Sequence, residues 1–223
     1  MRLRLPCLLL VELLLAGCGG GDDDETAGTT AAATAAGAPA TGCTEVDAPA
    51  PKPDGGQKAP TAALDASKTY RLVVDTSCGP FTIELDQASA PKTAASLVSL
   101  AEQGFFDGTT FHRVVPGFVI QGGDPTGTGT GGPGYSTVDV PPPGAAYTKG
   151  IVAMAKTGAE PPGTAGSQFF VVTGADAGLP PEYAVVGKVS QGMEAVEAIE
   201  ALGVGDGPPS MPVVIAKVTV ESG

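Results

Sequence analysis

The sequence predicts a mainly β fold, a closed eight-stranded β-barrel capped by two α-helices. Eight short runs carry alternating or continuous apolar residues, two further segments have helical spacing, and turn residues are frequent, with 33 glycines and 21 prolines in 223 residues. Many short strands separated by Gly/Pro turns suit a closed sheet. With 5% aromatic residues and no tryptophan, the core is expected to be built from Val, Ile, Leu, Ala and Phe.

The chain is expected to divide at about residues 17 and 67. Arg2 and Arg4 precede an apolar run from Leu5 to Leu15, interrupted by Glu12 and closed by Leu15-Ala16-Gly17-Cys18. This has the layout of a targeting segment over residues 1–17, and its last four residues resemble a bacterial lipobox, which implies lipidation of Cys18. An ordinary cleaved signal or a single membrane anchor are the alternatives, although the run is short for a span of about 20 residues. From Gly19 to Ser67 the composition turns to Ala, Thr, Gly, Pro and acid. A segment so poor in large apolar residues cannot form its own core, and a disordered tether over residues 18–67 is expected.

Residues 68–223 carry the fold. Tyr70–Asp75 and Phe81–Leu85 alternate about a Gly79-Pro80 turn and read as a hairpin. Pro91 suits the first turn of a helix, with Ala94, Leu97, Val98 and Ala101 on one face and Gly104 to end it. Phe111–Val115 and Phe118–Gln121 are strand-like segments broken at Pro116-Gly117. Alternation would send Phe111, Arg113 and Val115 to one face, and His112 and Val114 to the other. Gly127–Ser136 is a glycine-rich loop without the lysine of a phosphate-binding loop, and no helix pattern follows it. Strands are expected at Ile151–Ala155, Gln168–Val172, Ala184–Val189 and Val213–Val220, with a helix over Gln191–Leu202.

Two strings carry a resemblance: FHRVVPGFVIQGGDP at Phe111–Pro125 and GSQFFVVT at Gly166–Thr173. In this order and spacing they resemble the signatures of the cyclophilins, the peptidyl-prolyl cis-trans isomerases. The likeness covers roughly residues 68–220. It implies an eight-stranded antiparallel barrel closed by two helices, in agreement with the element count, and a catalyst that needs no metal or cofactor. It further implies that Arg113 is the cationic donor and Gln121 its brace, and that His112 belongs with them among the catalytic residues, on the polar rim of the site. Phe118, Val119, Phe170 and Leu179 would line a proline pocket. Gln168 and Tyr183 would form its polar rim, and Ala155 and Lys156 the segment that pairs with substrate backbone. Without the resemblance, the phenylalanines and Val119 read as core, His112 as structural and Gln121 as turn chemistry. Val119 and Lys156 depart from the usual methionine and asparagine, and Lys156–Ala165 is about three residues longer than the common pattern.

With 12 basic against 24 acidic residues, a formal charge of −12, the chain has no footprint for nucleic acid. Once signal and lipid are assigned to Cys7 and Cys18, only Cys43 and Cys78 remain. In an exported protein they would form a disulfide or stay as two thiols, and sequence does not supply the Cα separation that decides. The resulting expectation is a monomeric, extracytoplasmic isomerase, lipid-anchored to the bacterial cell membrane and acting on proline-containing segments of exported polypeptides. A tethered proline-peptide-binding module or chaperone with little turnover is the alternative.

Overall fold

The structure, a computed structural model, describes residues 42–223. The expected signal segment, Cys18 and the first part of the tether lie outside the described residues. In chain order the elements are β1 (Tyr70–Thr76), β2 (Gly79–Leu85), α1 (Pro91–Glu102), β3 (Thr109–Thr110), β4 (Arg113–Val115), β5 (Val119–Gly122), β6 (Thr137–Val138), β7 (Ile151–Met154), β8 (Thr164–Ala165), β9 (Phe169–Val172), β10 (Val185–Gln191), α2 (Met193–Glu200) and β11 (Val214–Ser222).

Nine of these strands form one antiparallel sheet in the order β3-β11-β1-β2-β10-β7-β9-β5-β4, and β6 pairs with β8 separately. The sheet curls into a half-barrel, and the expected closed eight-stranded barrel is corrected. Its two edges, β3 and β4, belong to one continuous piece of chain with only Phe111 and His112 between them. Strands this close in sequence, with no turn between, run in line and cannot lie side by side, so the chain crosses the seam without closing it by a ladder. The expected Phe111–Val115 strand is split for the same reason. Phe111 N–H donates to Val213 O, whereas Val114 N–H donates to Gly207 O. Phe111 and Val114 therefore both enter the main core, where simple alternation had placed them on opposite faces.

The hairpin β1–β2 forms as expected, with Arg71 opposite Glu84 and Thr76 opposite Gly79. Helix α1 starts on Pro91 and buries Ala94, Leu97, Val98 and Ala101. Helix α2 is shorter than expected because Gln191 still belongs to β10 and Gly192 makes the corner. Gly192 has φ +76°, and a Cβ there would lie 2.4 Å from Pro80 O, so this corner admits only glycine. Phenylalanine supplies the core volume that tryptophan does not. Phe169 stands edge-on to Phe106 and Phe111, with ring centroids 6.2 and 6.0 Å away, a favourable aromatic geometry.

Residues 42–67 correct the expectation of a disordered tether. They form neither helix nor strand, yet they lie on the folded body as a strap. Cys43 is fully buried and bonded to Cys78. Thr44 N–H donates to Ser77 O, Lys52 N–H to Pro125 O, and Leu64 packs on the core. Low apolar content rules out a private core, but it does not prevent a segment from pairing its backbone with a body already folded.

Candidate functional site

The site lies on the outer face of the β4-β5-β9-β7 part of the sheet. Register pairs Arg113 with Gln121, Gln121 with Phe170, and Phe170 with Ala153. Residues opposite one another in adjacent strands share a face, so a cation, an amide and an aromatic ring form one row. Residues one position away, Val114, Ile120, Val171 and Val152, point into the main core. Phe170 and Ala153 of this row join Val119, Tyr147 and Val172 in a second apolar cluster, with Phe118, Leu179 and Tyr183 packed on it.

Above this cluster opens a pocket of about 240 Å³, lined by Arg113, Phe118, Val119, Gln121, Ala155, Lys156, Phe170, Leu179 and Tyr183. The structure thus brings nine of the expected site residues around one cavity. Gln168 stands one step behind, its Oε1 accepting from Gln121 Nε2 at 3.0 Å, while its own Nε2 donates to Gly131 O at 2.9 Å. His112 is not in the pocket wall. It lies beside Gly129, with its Nδ1 buried and without a hydrogen-bond partner. Burial holds its imidazole below the ordinary 6.5, against the raising effect of Asp124.

Arg113 is held from several directions. Its guanidinium carbon lies 5.7 Å from the Phe118 ring centroid, within cation-π range. Its Nη1 is 3.4 Å from Gln121 Oε1, and Asp206 takes Nε and Nη2 at 2.5 and 3.0 Å. This two-point fork uses one edge of the guanidinium and leaves Nη1 toward the pocket side. The Arg113 hydrogen bond also lowers the Asp206 carboxyl below its usual range. The Lys156 side chain is 2% exposed, with its Nζ 3.1 Å from Glu182 Oε2 and 5.3 Å from the Tyr183 ring centroid. It is a fixed wall and not a free surface cation.

Sequence reasoning missed Asp206 and Tyr147. Asp206 lies 93 residues from Arg113 in a Gly/Pro-rich loop, where no periodicity marks it. Tyr147 OH donates to Tyr183 O at 2.8 Å and accepts from Tyr183 N–H at 3.0 Å, which fixes the pocket's aromatic wall. Burial raises the Tyr147 phenol above 10, so the hydroxyl keeps its proton and both bonds. Among the described residues no cluster of three or more His, Cys, Asp or Glu is placed to hold a metal.

An apolar slot with a braced cation at its rim, on an antiparallel half-barrel with two helices, defines a class that comparison with known proteins identifies. Residues 71–220 match the profile of the cyclophilin type peptidyl-prolyl cis-trans isomerases, and the chain belongs to this family. It is 39% identical to peptidyl-prolyl cis-trans isomerase A of Mycobacterium tuberculosis over 171 residues, covering 68% of this chain and 92% of that protein. It is 42% identical to a peptidyl-prolyl cis-trans isomerase-like 1 of Rhizopus delemar over 135 residues, 59% of this chain and 80% of that one. Among solved structures, a cyclophilin type isomerase of Cryptosporidium parvum aligns with TM-score 0.63 and 32% identity, covering 70% of this chain and 99% of its own. The same protein has been solved in the presence of the dipeptide Ala-Pro, again with TM-score 0.63.

Proposed function

We propose that this chain isomerises X-Pro bonds in exported polypeptides, with Arg113 stabilising the twisted amide while the proline ring occupies the pocket over Phe118 and Phe170. The observation that carries this reading is the braced Arg113 guanidinium at the rim of a pocket that also presents Phe118, Val119, Phe170 and Leu179. Rotation about the prolyl amide meets a barrier of about 18–20 kcal/mol because the bond is conjugated. At the twisted transition state conjugation is lost and the lone pair localises on nitrogen. A donor that is already charged and oriented gains most at that moment, so catalysis needs neither nucleophile nor metal. Arginine suits the task because its fork can be braced on one edge and donate from another.

The test is an isomerisation assay with Arg113→Ala. We expect a fall in kcat/KM of about 100- to 1000-fold, the usual cost of one transition-state donor, with the melting temperature nearly unchanged. Near-wild-type turnover by the folded variant would remove Arg113 from this role and favour a proline-binding module. The setting is part of the proposal: Leu15-Ala16-Gly17-Cys18 supports a lipid on Cys18 and an extracytoplasmic, membrane-anchored domain. Mass spectrometry of the mature protein tests it, and an unmodified N-terminus would end the anchor reading.

A further inference from the structure

A second cavity of about 500 Å³ adjoins the proline pocket and shares Gln121, Ala155 and Lys156 with it. Its far wall is the glycine-rich loop, and its rim includes Asp54 of the N-terminal strap. The strap lies outside the part of the chain that matches the family. The loop has little packing of its own and is held from two sides. On the inside, Asp124 Oδ2 accepts from Gly129 N–H and Gly131 N–H, and Gln168 Nε2 donates to Gly131 O. On the outside stands the strap: Asp54 Oδ1 accepts from Gly132 N–H at 2.8 Å, Gly55 N–H donates to Gly132 O at 2.9 Å, and Gln57 N–H donates to Pro133 O at 2.9 Å.

The two backbones meet without side chains between them. Gly134 has φ +90°, and a Cβ there would come within 3.0 Å of Gly55 Cα and Gly56 N. Glycine on the loop is what lets the strap lie flat against it. Two anchors hold the strap in register before it reaches the loop. Cys43 is bonded to Cys78, and Lys52 Nζ donates to the carbonyls of Gly104, Phe105 and Asp107 just beyond α1. A cation at the C-terminal end of a helix is favourably placed, and Gly104, Phe105 and Asp107 line neither cavity.

We propose that the strap is a substrate-positioning element: by pinning the glycine-rich loop it holds the second cavity open to polypeptide residues flanking the proline, and makes the protein favour extended chains over short prolyl peptides. This rests on the isomerase reading for its first pocket. A residue of extended chain advances about 3.3 Å, so a blocked Ala-Pro dipeptide fills the proline pocket alone, while a decapeptide with a central proline also crosses the second cavity.

The test compares the two peptides on the full chain, the Lys52→Ala/Asp54→Ala variant, and Gly134→Ala, whose methyl meets the strap backbone. Hydrogen exchange at Gly129, Gly131 and Gly132 reports whether the loop is released. We expect faster exchange at these amides and a decapeptide kcat/KM lower by about five- to tenfold, the order of one or two lost hydrogen bonds. The loss should sit in KM, with dipeptide turnover within about twofold of wild type by the same reasoning. Equal losses for both peptides, or a released loop with wild-type decapeptide kinetics, would overturn the proposal. So would continued protection of the loop in both variants, because the strap would then not be what holds it. Failure of the isomerase reading looks different: wild type would turn over neither peptide, and decapeptide affinity would then decide the strap's role by the same comparison.

Discussion

The two faces of the β4-β5-β9-β7 stretch use one backbone for opposite ends. On the inner face Val114, Ile120, Val171 and Val152 are almost completely buried and merge with the main core. One residue along each strand, the outer face presents Arg113, Gln121, Phe170 and Ala153. The inner row is uniformly apolar, and substitution there acts through packing. The outer row sets a cation and an amide among apolar neighbours, an arrangement costly for stability alone but useful where charge must be stabilised. Strand alternation thus lets the site change without disturbing the core one residue away.

Arg113→Ala on the outer face and a truncation on the inner face should fail in opposite ways. Phe169→Ala deletes a ring edge-on to both Phe106 and Phe111 and should cost about 3–5 kcal/mol of stability. Denaturant unfolding should show the loss, while turnover per folded molecule stays near wild type. If Phe169→Ala instead abolished turnover in molecules that remain folded, the faces would be coupled and the division wrong.

Phe118→Ala probes the outer face at smaller amplitude. Phe118 is half-buried and lies under Arg113 as well as in the pocket wall. Prolyl peptides should bind about tenfold more weakly, since a partly buried ring contributes less than a core one. Calorimetric titration checks this, and unchanged affinity would move the proline pocket elsewhere. Asp206→Asn should act more weakly still. It keeps an acceptor near Nε but removes the charge that fixes the guanidinium plane, and a loss in kcat/KM of only about two- to threefold is expected, because solvent screens so exposed a pair. A rise in turnover would instead show that the carboxylate restrains the cation.

What was legible in the sequence follows the range of the interactions. Arg113 and Gln121 are eight residues apart and become direct cross-strand partners through one turn, so a local string carries their relation. The longer strands and both helices were readable because each has its own period, whereas the two-residue strands β3, β6 and β8 are too short to show one. The open seam was not, because the change of partner at Phe111–His112 depends on Val213 and Gly207. Asp206 and the strap were hidden for a related reason: their partners lie far along the chain, and composition reports whether a segment can build a core but not whether it can rest on one.

The smallest effect separates the two faces by pH. His112 is the only histidine in the chain, and although proposed for the site it lies off the pocket wall beside Gly129. Burial holds its folded-state pKa below 6.5. Between that lowered value and about 6.5 the unfolded chain binds more protons than the folded one, so stability must rise with pH through this window. The contribution is complete above the unfolded value and is lost as pH falls through the folded one. Urea midpoints measured from pH 7.5 downward should decline for wild type in this range, and His112→Gln should lose that part of the slope. Carboxylates lowered by hydrogen bonds, such as Asp124 and Asp206, add their own losses only at lower pH. Because His112 supports the loop side and not the pocket, the kcat of His112→Gln should match wild type at pH 7.5. A kcat that collapses while the fold persists would return His112 to the site and make the outer face wider than the row from Arg113 to Ala153.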